Sequence, residues 1–122
     1  MESPYKGKTG VTRIWNAFNY SLAGLRAAYT HEDAFRQEVL LAIVLIPTAL
    51  LSHTSGLEKA VLIGSTLLVL IVELINSAVE ATVDRISLDD HSLAKRAKDI
   101  GSASVLITLV NLALVWGLIF LG

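Results

Sequence analysis

Glu73 stands in the middle of Val69-Leu70-Ile71-Val72-Glu73-Leu74-Ile75-Asn76, a run that otherwise reads as hydrocarbon-facing. An ionisable group at the centre of a bilayer costs about 2.5–3.5 kcal/mol on insertion scales, so one retained there is paired or put to use. Asn76, Glu80 and Asp84 follow at offsets of 3, 7 and 11, which stacks all four on one stripe of a helix. With a rise of about 1.5 Å per residue, Glu73 lies about 16 Å below Asp84, and Glu80 about 6 Å below it. Glu80 is then at headgroup depth, where its oxygens suit a hard divalent cation such as Mg2+. Glu73 is deeper and partly desolvated, the setting of a base that takes a proton from an alcohol. Asn76, one turn away, can orient either group. The competing reading of the stripe is a polar contact that glues helices together.

Two further charged groups carry chemistry or topology. His91, Lys95, Arg96, Lys98 and Asp99 precede the last apolar stretch, and Lys95, Lys98 and Asp99 can share a helix face. They offer cations to phosphates and one acid to a metal or hydroxyl. A basic juxtamembrane cluster more commonly sets topology or touches anionic lipid, and composition alone favours that use. Glu32, Asp33, Arg36 and Glu38 form the other group, explained on local grounds as a helix start with acids in its first turn. His31, His53 and His91 have no zinc-like spacing. The chain contains neither phosphate-binding glycine motif, so a nucleotide would bind without a P-loop. It has no nucleophile elbow and no nucleic-acid platform, and nucleic acid is not an expected partner.

The elements that must position these residues are legible in the apolar pattern. The chain has 122 residues, 53% of them apolar, and a mean hydropathy of +0.60, too apolar for an ordinary soluble domain. A spanning helix needs about 20 mostly apolar residues. The expected spans are residues 33–52, 57–83 and 101–121, with a turn at Ser52-His53-Thr54-Ser55-Gly56. Pro47 predicts a kink in the first. Val11, Ile14, Trp15, Phe18, Leu22, Leu25 and Tyr29 recur at threes and fours, which predicts an amphipathic helix over about 10–30 lying in the membrane surface. Packing of that stripe on the spanning bundle is the compatible alternative. The fold class is therefore an all-α membrane protein of one domain, 1–122, with three transmembrane helices and an N-terminal surface helix. Of ten Lys and Arg, five lie at the amino-terminal side (Lys6, Lys8, Arg13, Arg26 and Arg36), four lie between the second and third spans, and only Lys59 is in the other loop. By the positive-inside bias, the N-terminus is cytoplasmic and the C-terminus lies outside. A cleavable signal peptide is not expected. Cysteine is absent, which excludes disulfides and thiolate metal sites.

The chain resembles the small bacterial diacylglycerol kinases, integral membrane lipid kinases. The segments that carry the resemblance are Gly24-Leu25-Arg26-Ala27-Ala28, Ala34-Phe35-Arg36-Gln37-Glu38, the run from Ile71 to Ala81, Val83-Asp84-Arg85-Ile86 and the run from Arg96 to Ala103. The resemblance implies transfer of the ATP γ-phosphoryl to the primary hydroxyl of diacylglycerol, giving phosphatidic acid, with Mg2+ as cofactor. It implies Glu73 as catalytic base with Asn76 beside it, and Glu32 and Glu80 as metal ligands that also face the nucleotide. Arg13, Tyr20, Asp89, Asp90, His91, Lys98 and Asp99 would contact ATP. Arg13, Ser21, Arg26, Glu38, Glu73 and Ser102 would meet the lipid. It further implies a homotrimeric bundle with active sites shared between subunits, in the bacterial inner membrane with a periplasmic C-terminus. The basic cluster thereby becomes a nucleotide site, and Glu32 turns from helix cap into metal ligand. The turn from Ser87 to His91 departs from the family pattern, and Pro47 is not characteristic of it.

Three rival functions compete with this reading. A polyprenol kinase of the same family would act on undecaprenol. A small proton-coupled transporter would also use one membrane glutamate, although it leaves Glu32, Lys98 and Asp99 without a purpose. A non-catalytic assembly subunit would not need Glu73.

Overall fold

The computed structural model describes residues 9–86 and 92–122. Asp89, Asp90 and His91, assigned above to ATP, lie outside the described residues. Four helices follow in order: α1 from Gly10 to His31, α2 from Asp33 to Leu51, α3 from Gly56 to Ile86 and α4 from Ser92 to Leu121. No strand occurs among the described residues. α2, α3 and α4 are long and apolar enough to cross a membrane. α3 is the centre of the packing: it meets α4 most extensively and α2 next, while α1 touches α2 near their junction.

The periodicity of α1 leaves it with a single buried residue, Ala28. Val11, Ile14, Trp15, Phe18, Leu22, Leu25 and Tyr29 all remain exposed, so the aromatic stripe is not covered by this chain's own bundle. Apolar surface of this extent needs a lipid phase or another chain to cover it. Trp15 and Phe18 lie against each other with ring centroids 6.4 Å apart.

A single extended residue separates α1 from α2. Glu32 has φ −117° and ψ 108° and ends one helix while starting the next. Its backbone N–H donates to the Ala28 carbonyl at 2.9 Å, and its own carbonyl accepts from the Arg36 N–H at 3.2 Å. Arg36 then reaches back across the break. Its guanidinium donates to the Tyr29 and Thr30 carbonyls at 2.7 and 2.9 Å and also pairs with Asp33. The last carbonyls of a helix have no partner within it, and a cation there is favoured by the helix dipole. The elbow is thus held by one side chain.

α2 continues through Pro47. α3 starts on a capping box: the Ser55 N–H donates to Glu58 Oε1 at 3.0 Å, and the Glu58 N–H donates to Ser55 Oγ at 3.1 Å. This reciprocal pairing satisfies two backbone donors left over at the helix start. At 31 residues, α3 is about 46 Å long, longer than a hydrocarbon core of about 30 Å. Its end turns therefore project into the headgroup zone. The helix that carries the third apolar stretch begins at Ser92, so its first turns are polar and charged.

Leu62, Ser65, Thr66, Val69, Glu73 and Asn76 form the buried face of α3. The hydroxyls of Ser65 and Thr66 both donate to the Leu62 carbonyl, at 2.8 and 2.9 Å, and are satisfied within their own helix. No more than 33% of any spanning window is buried inside the chain. The remaining surface must face lipid or further chains.

Candidate active site

The inward stripe of α3 sets the site. Glu73 and Asn76 are buried at 5% and 7% exposure, and Glu80, two turns above Glu73, is half-buried. The Asn76 amide donates from Nδ2 to Glu80 Oε1 at 3.3 Å. Asn76 Oδ1 is buried and has no hydrogen-bond partner.

α2 adds a second buried carboxyl. Glu38 is within electrostatic reach of Glu73, and its Oε2 is buried without a hydrogen-bond partner. Glu73 is also within electrostatic reach of Glu80 and of Glu32 at the elbow. Three carboxyls, from α2, α3 and the α1–α2 break, therefore lie within electrostatic reach of Glu73.

Among the described residues, no three His, Asp or Glu side chains close into a ready-made metal cage. The set at hand is two half-buried carboxylates, Glu32 and Glu80. That donor chemistry fits Mg2+, which commonly uses one or two protein carboxylates and takes its other oxygens from phosphates and water.

A cleft of about 720 Å3 opens between α1 and α3. Gly24, Leu25, Ala27 and Ala28 line it from one side and Leu74, Ala78 and Ala81 from the other, with Ser21, His31, Glu32 and Ser77 as its polar members. Ser21 Oγ donates to its own helix at the Ala17 carbonyl, 2.9 Å away. Ser77 Oγ is buried with no partner. The small side chains at 24, 27, 28, 78 and 81 leave the space, and Glu32 contributes a carboxylate to its wall.

The residues expected at ATP divide between two places. Arg13 and Tyr20 are exposed along the first half of α1, and Lys98 and Asp99 sit in the first turns of α4. These helices lie at opposite ends of the packing order, in which α1 meets α2 and α4 meets α3. Lys98 Nζ forms an ion pair with Asp84 Oδ1 at 2.6 Å, joining α4 to the top of the α3 stripe. Lys95 pairs with Asp99 at 2.7 Å along α4. Arg26 and Ser102 are exposed, on α1 and α4. Thus Glu32, Glu38, Glu73, Asn76 and Glu80 are gathered within the chain, and Ser21 shares the cleft with Glu32.

Sequence reasoning missed the roles of Arg36 as the clasp of the elbow and of Ser77 in the cleft wall. For Arg36, the signal was a lone cation one turn past a helix break. Ser77 lies four residues beyond Glu73 and gave no sign in its spacing of facing α1.

Residues 19–120 match the family described as prokaryotic diacylglycerol kinase. The chain belongs to that family. A diacylglycerol kinase of Pseudomonas aeruginosa is 56% identical over 120 residues, covering 98% of both chains. One of Haemophilus influenzae is 49% identical over 109 residues, covering 89% of this chain and 92% of the relative. One of Escherichia coli (strain K12) is 46% identical over 108 residues, covering 88% of each. Membership of the prokaryotic diacylglycerol kinases makes the chain a membrane kinase, an enzyme rather than a transporter or assembly subunit. Its spanning-length helices agree with a place in a membrane.

Proposed function

We propose that the chain phosphorylates diacylglycerol at its primary hydroxyl with the γ-phosphoryl of ATP, giving phosphatidic acid. The observation that carries this reading is the pairing of a buried base with an apolar cleft at the same level of the bundle. Glu73 is 5% exposed, Glu38 is within electrostatic reach of it, and its chain neighbour Leu74 lines the cleft between α1 and α3 together with Glu32. A lipid approaching sideways would lay its chains along Leu25, Leu74, Ala78 and Ala81. Its hydroxyl would then come to the depth of the carboxyls.

Phosphoryl transfer asks little covalent work of a protein, which must align the nucleophile and neutralise charge. Glu73 takes the hydroxyl proton as the oxygen attacks the γ-phosphorus, and Glu38 orients that hydroxyl. Asn76 holds Glu80 in place. Glu32 and Glu80 would hold magnesium, which supplies charge neutralisation on the phosphates when bound. Lys98, half-buried beside Asp84, offsets charge on the leaving nucleotide, and Asp99, Arg13 and Tyr20 complete its contacts. Asp89, Asp90 and His91 belong to the same proposed nucleotide set. Ser21, Arg26, Arg13 and Ser102 belong to the lipid side.

Two features support a homotrimer with shared sites. The proposed nucleotide residues ride on helices that are not extensive neighbours within one chain, and most of each span is left uncovered. The reading places one kinase domain in the bacterial inner membrane, N-terminus in the cytoplasm and C-terminus in the periplasm, following the Lys and Arg bias.

The test is transfer of radiolabelled phosphate from ATP to lipid by the purified chain in detergent micelles, with diacylglycerol and undecaprenol in separate arms. Phosphatidic acid should dominate. Equal or faster labelling of undecaprenol would assign the chain to polyprenol instead.

A further inference from the structure

The polar stripe of α3 meets α4 at Gly101. A Cβ placed on that glycine would overlap the Asn76 side-chain oxygen and stand 3.2 Å from Asn76 Cγ. Gly24, Gly56, Gly64 and Gly117 have nothing within 4 Å of the same position, and the terminal Gly122 meets only the Leu118 backbone of its own helix end, so a close approach to a neighbouring helix is particular to residue 101.

The two ends of the Asn76 amide face different surroundings. Nδ2 donates to Glu80, whereas the buried Oδ1 has no hydrogen-bond partner and lies in the notch that the glycine leaves. Turning the amide over would set its oxygen against the Glu80 carboxylate and leave two N–H donors in the notch, so Glu80 fixes the orientation. α3 and α4 share the most extensive packing in the chain. A side chain at 101 is therefore accommodated by movement of the amide more readily than by separation of the helices.

We infer that Gly101 is a positioning residue for the cation site: its missing side chain lets Asn76 present its NH2 to Glu80 and hold that carboxylate in one orientation. The inference rests on the proposed role of Glu80 as a magnesium ligand. Partners that orient a metal ligand typically change metal affinity by about 10–100-fold when removed. Alanine is a better helix former than glycine, so Gly101→Ala leaves helix formation intact.

The experiment measures Mn2+ binding by electron paramagnetic resonance to the purified full-length chain with a non-hydrolysable ATP analogue. The variants are Gly101→Ala, Asn76→Ala, their double variant and Glu80→Gln. Gly101→Ala should weaken Mn2+ by about tenfold or more. Adding it to Asn76→Ala should change nothing further, because the amide it displaces is gone. Wild-type Mn2+ affinity in Gly101→Ala, alongside a loss in Glu80→Gln, would overturn the inference and leave the metal reading standing. Equal losses with and without the Asn76 side chain would overturn it as well. Unchanged affinity in Glu80→Gln would remove the metal reading and the inference together.

Discussion

Replacing Arg36 by alanine should loosen the elbow at Glu32 and raise the magnesium requirement of the enzyme. The side chain makes two charge-assisted bonds to the exposed carbonyls of α1, at 2.7 and 2.9 Å. Each such bond contributes about 1.5–3 kcal/mol when well shielded. The Arg36 side chain is 36% exposed and its Asp33 partner 85% exposed, so the ion pair adds close to nothing and each carbonyl bond falls below that range, to about 1 kcal/mol. A total of about 2 kcal/mol corresponds to roughly a 30-fold shift in the balance between the bent and relaxed junction. Glu32 is the junction residue itself, so its carboxylate should lose its fixed position relative to Glu80. The assay is phosphatidic acid formation against magnesium concentration, with Asp33→Ala as the control for the exposed pair. Half-saturation should move upward by about tenfold in Arg36→Ala and by less than about twofold in Asp33→Ala. A folded Arg36→Ala protein with wild-type magnesium dependence would refute the clasp.

Two further outcomes follow from other parts of the fold. Filling the cleft with Ala78→Phe should raise KM for diacylglycerol severalfold while leaving KM for ATP unchanged, because the cleft is lined by apolar side chains of α1 and α3; equal changes in both constants would show that the cleft does not serve the lipid. Ser55→Ala removes half of the capping box and should cost about 1 kcal/mol, seen as a lower melting temperature in detergent at unchanged kcat.

The residues that lie deepest were the easiest to find in the sequence. Glu73, Asn76 and Glu80 break an apolar run at helical spacing, and burial on one stripe follows from the 3.6-residue period. Spanning helices were legible for the same reason, since hydropathy alone measures them. The elbow was not. Glu32 and Asp33 look like any acidic helix start, and only backbone geometry shows that one residue separates α1 from α2. The start of α4 at Ser92 escaped because its first turns are polar, and hydropathy ends a span where apolar residues end. The Ser55-Gly56-Leu57-Glu58 capping box has a sequence signature, but it overlaps the turn residues Ser52 to Gly56 that lead into the helix. The bond from Lys98 to Asp84 and the meeting of Gly101 with Asn76 depend on the register of two long helices, which no local pattern specifies.

The base is the residue on which the proposed mechanism turns. Phosphatidic acid formation by Glu73→Gln should be measured across a magnesium titration beside Glu32→Gln and Glu80→Gln. General-base removal typically costs about 100- to 10,000-fold, so Glu73→Gln should lose rate at every magnesium concentration, while the other two should recover part of theirs as magnesium rises. A folded Glu73→Gln enzyme within about tenfold of wild type at saturating magnesium would contradict the proposal.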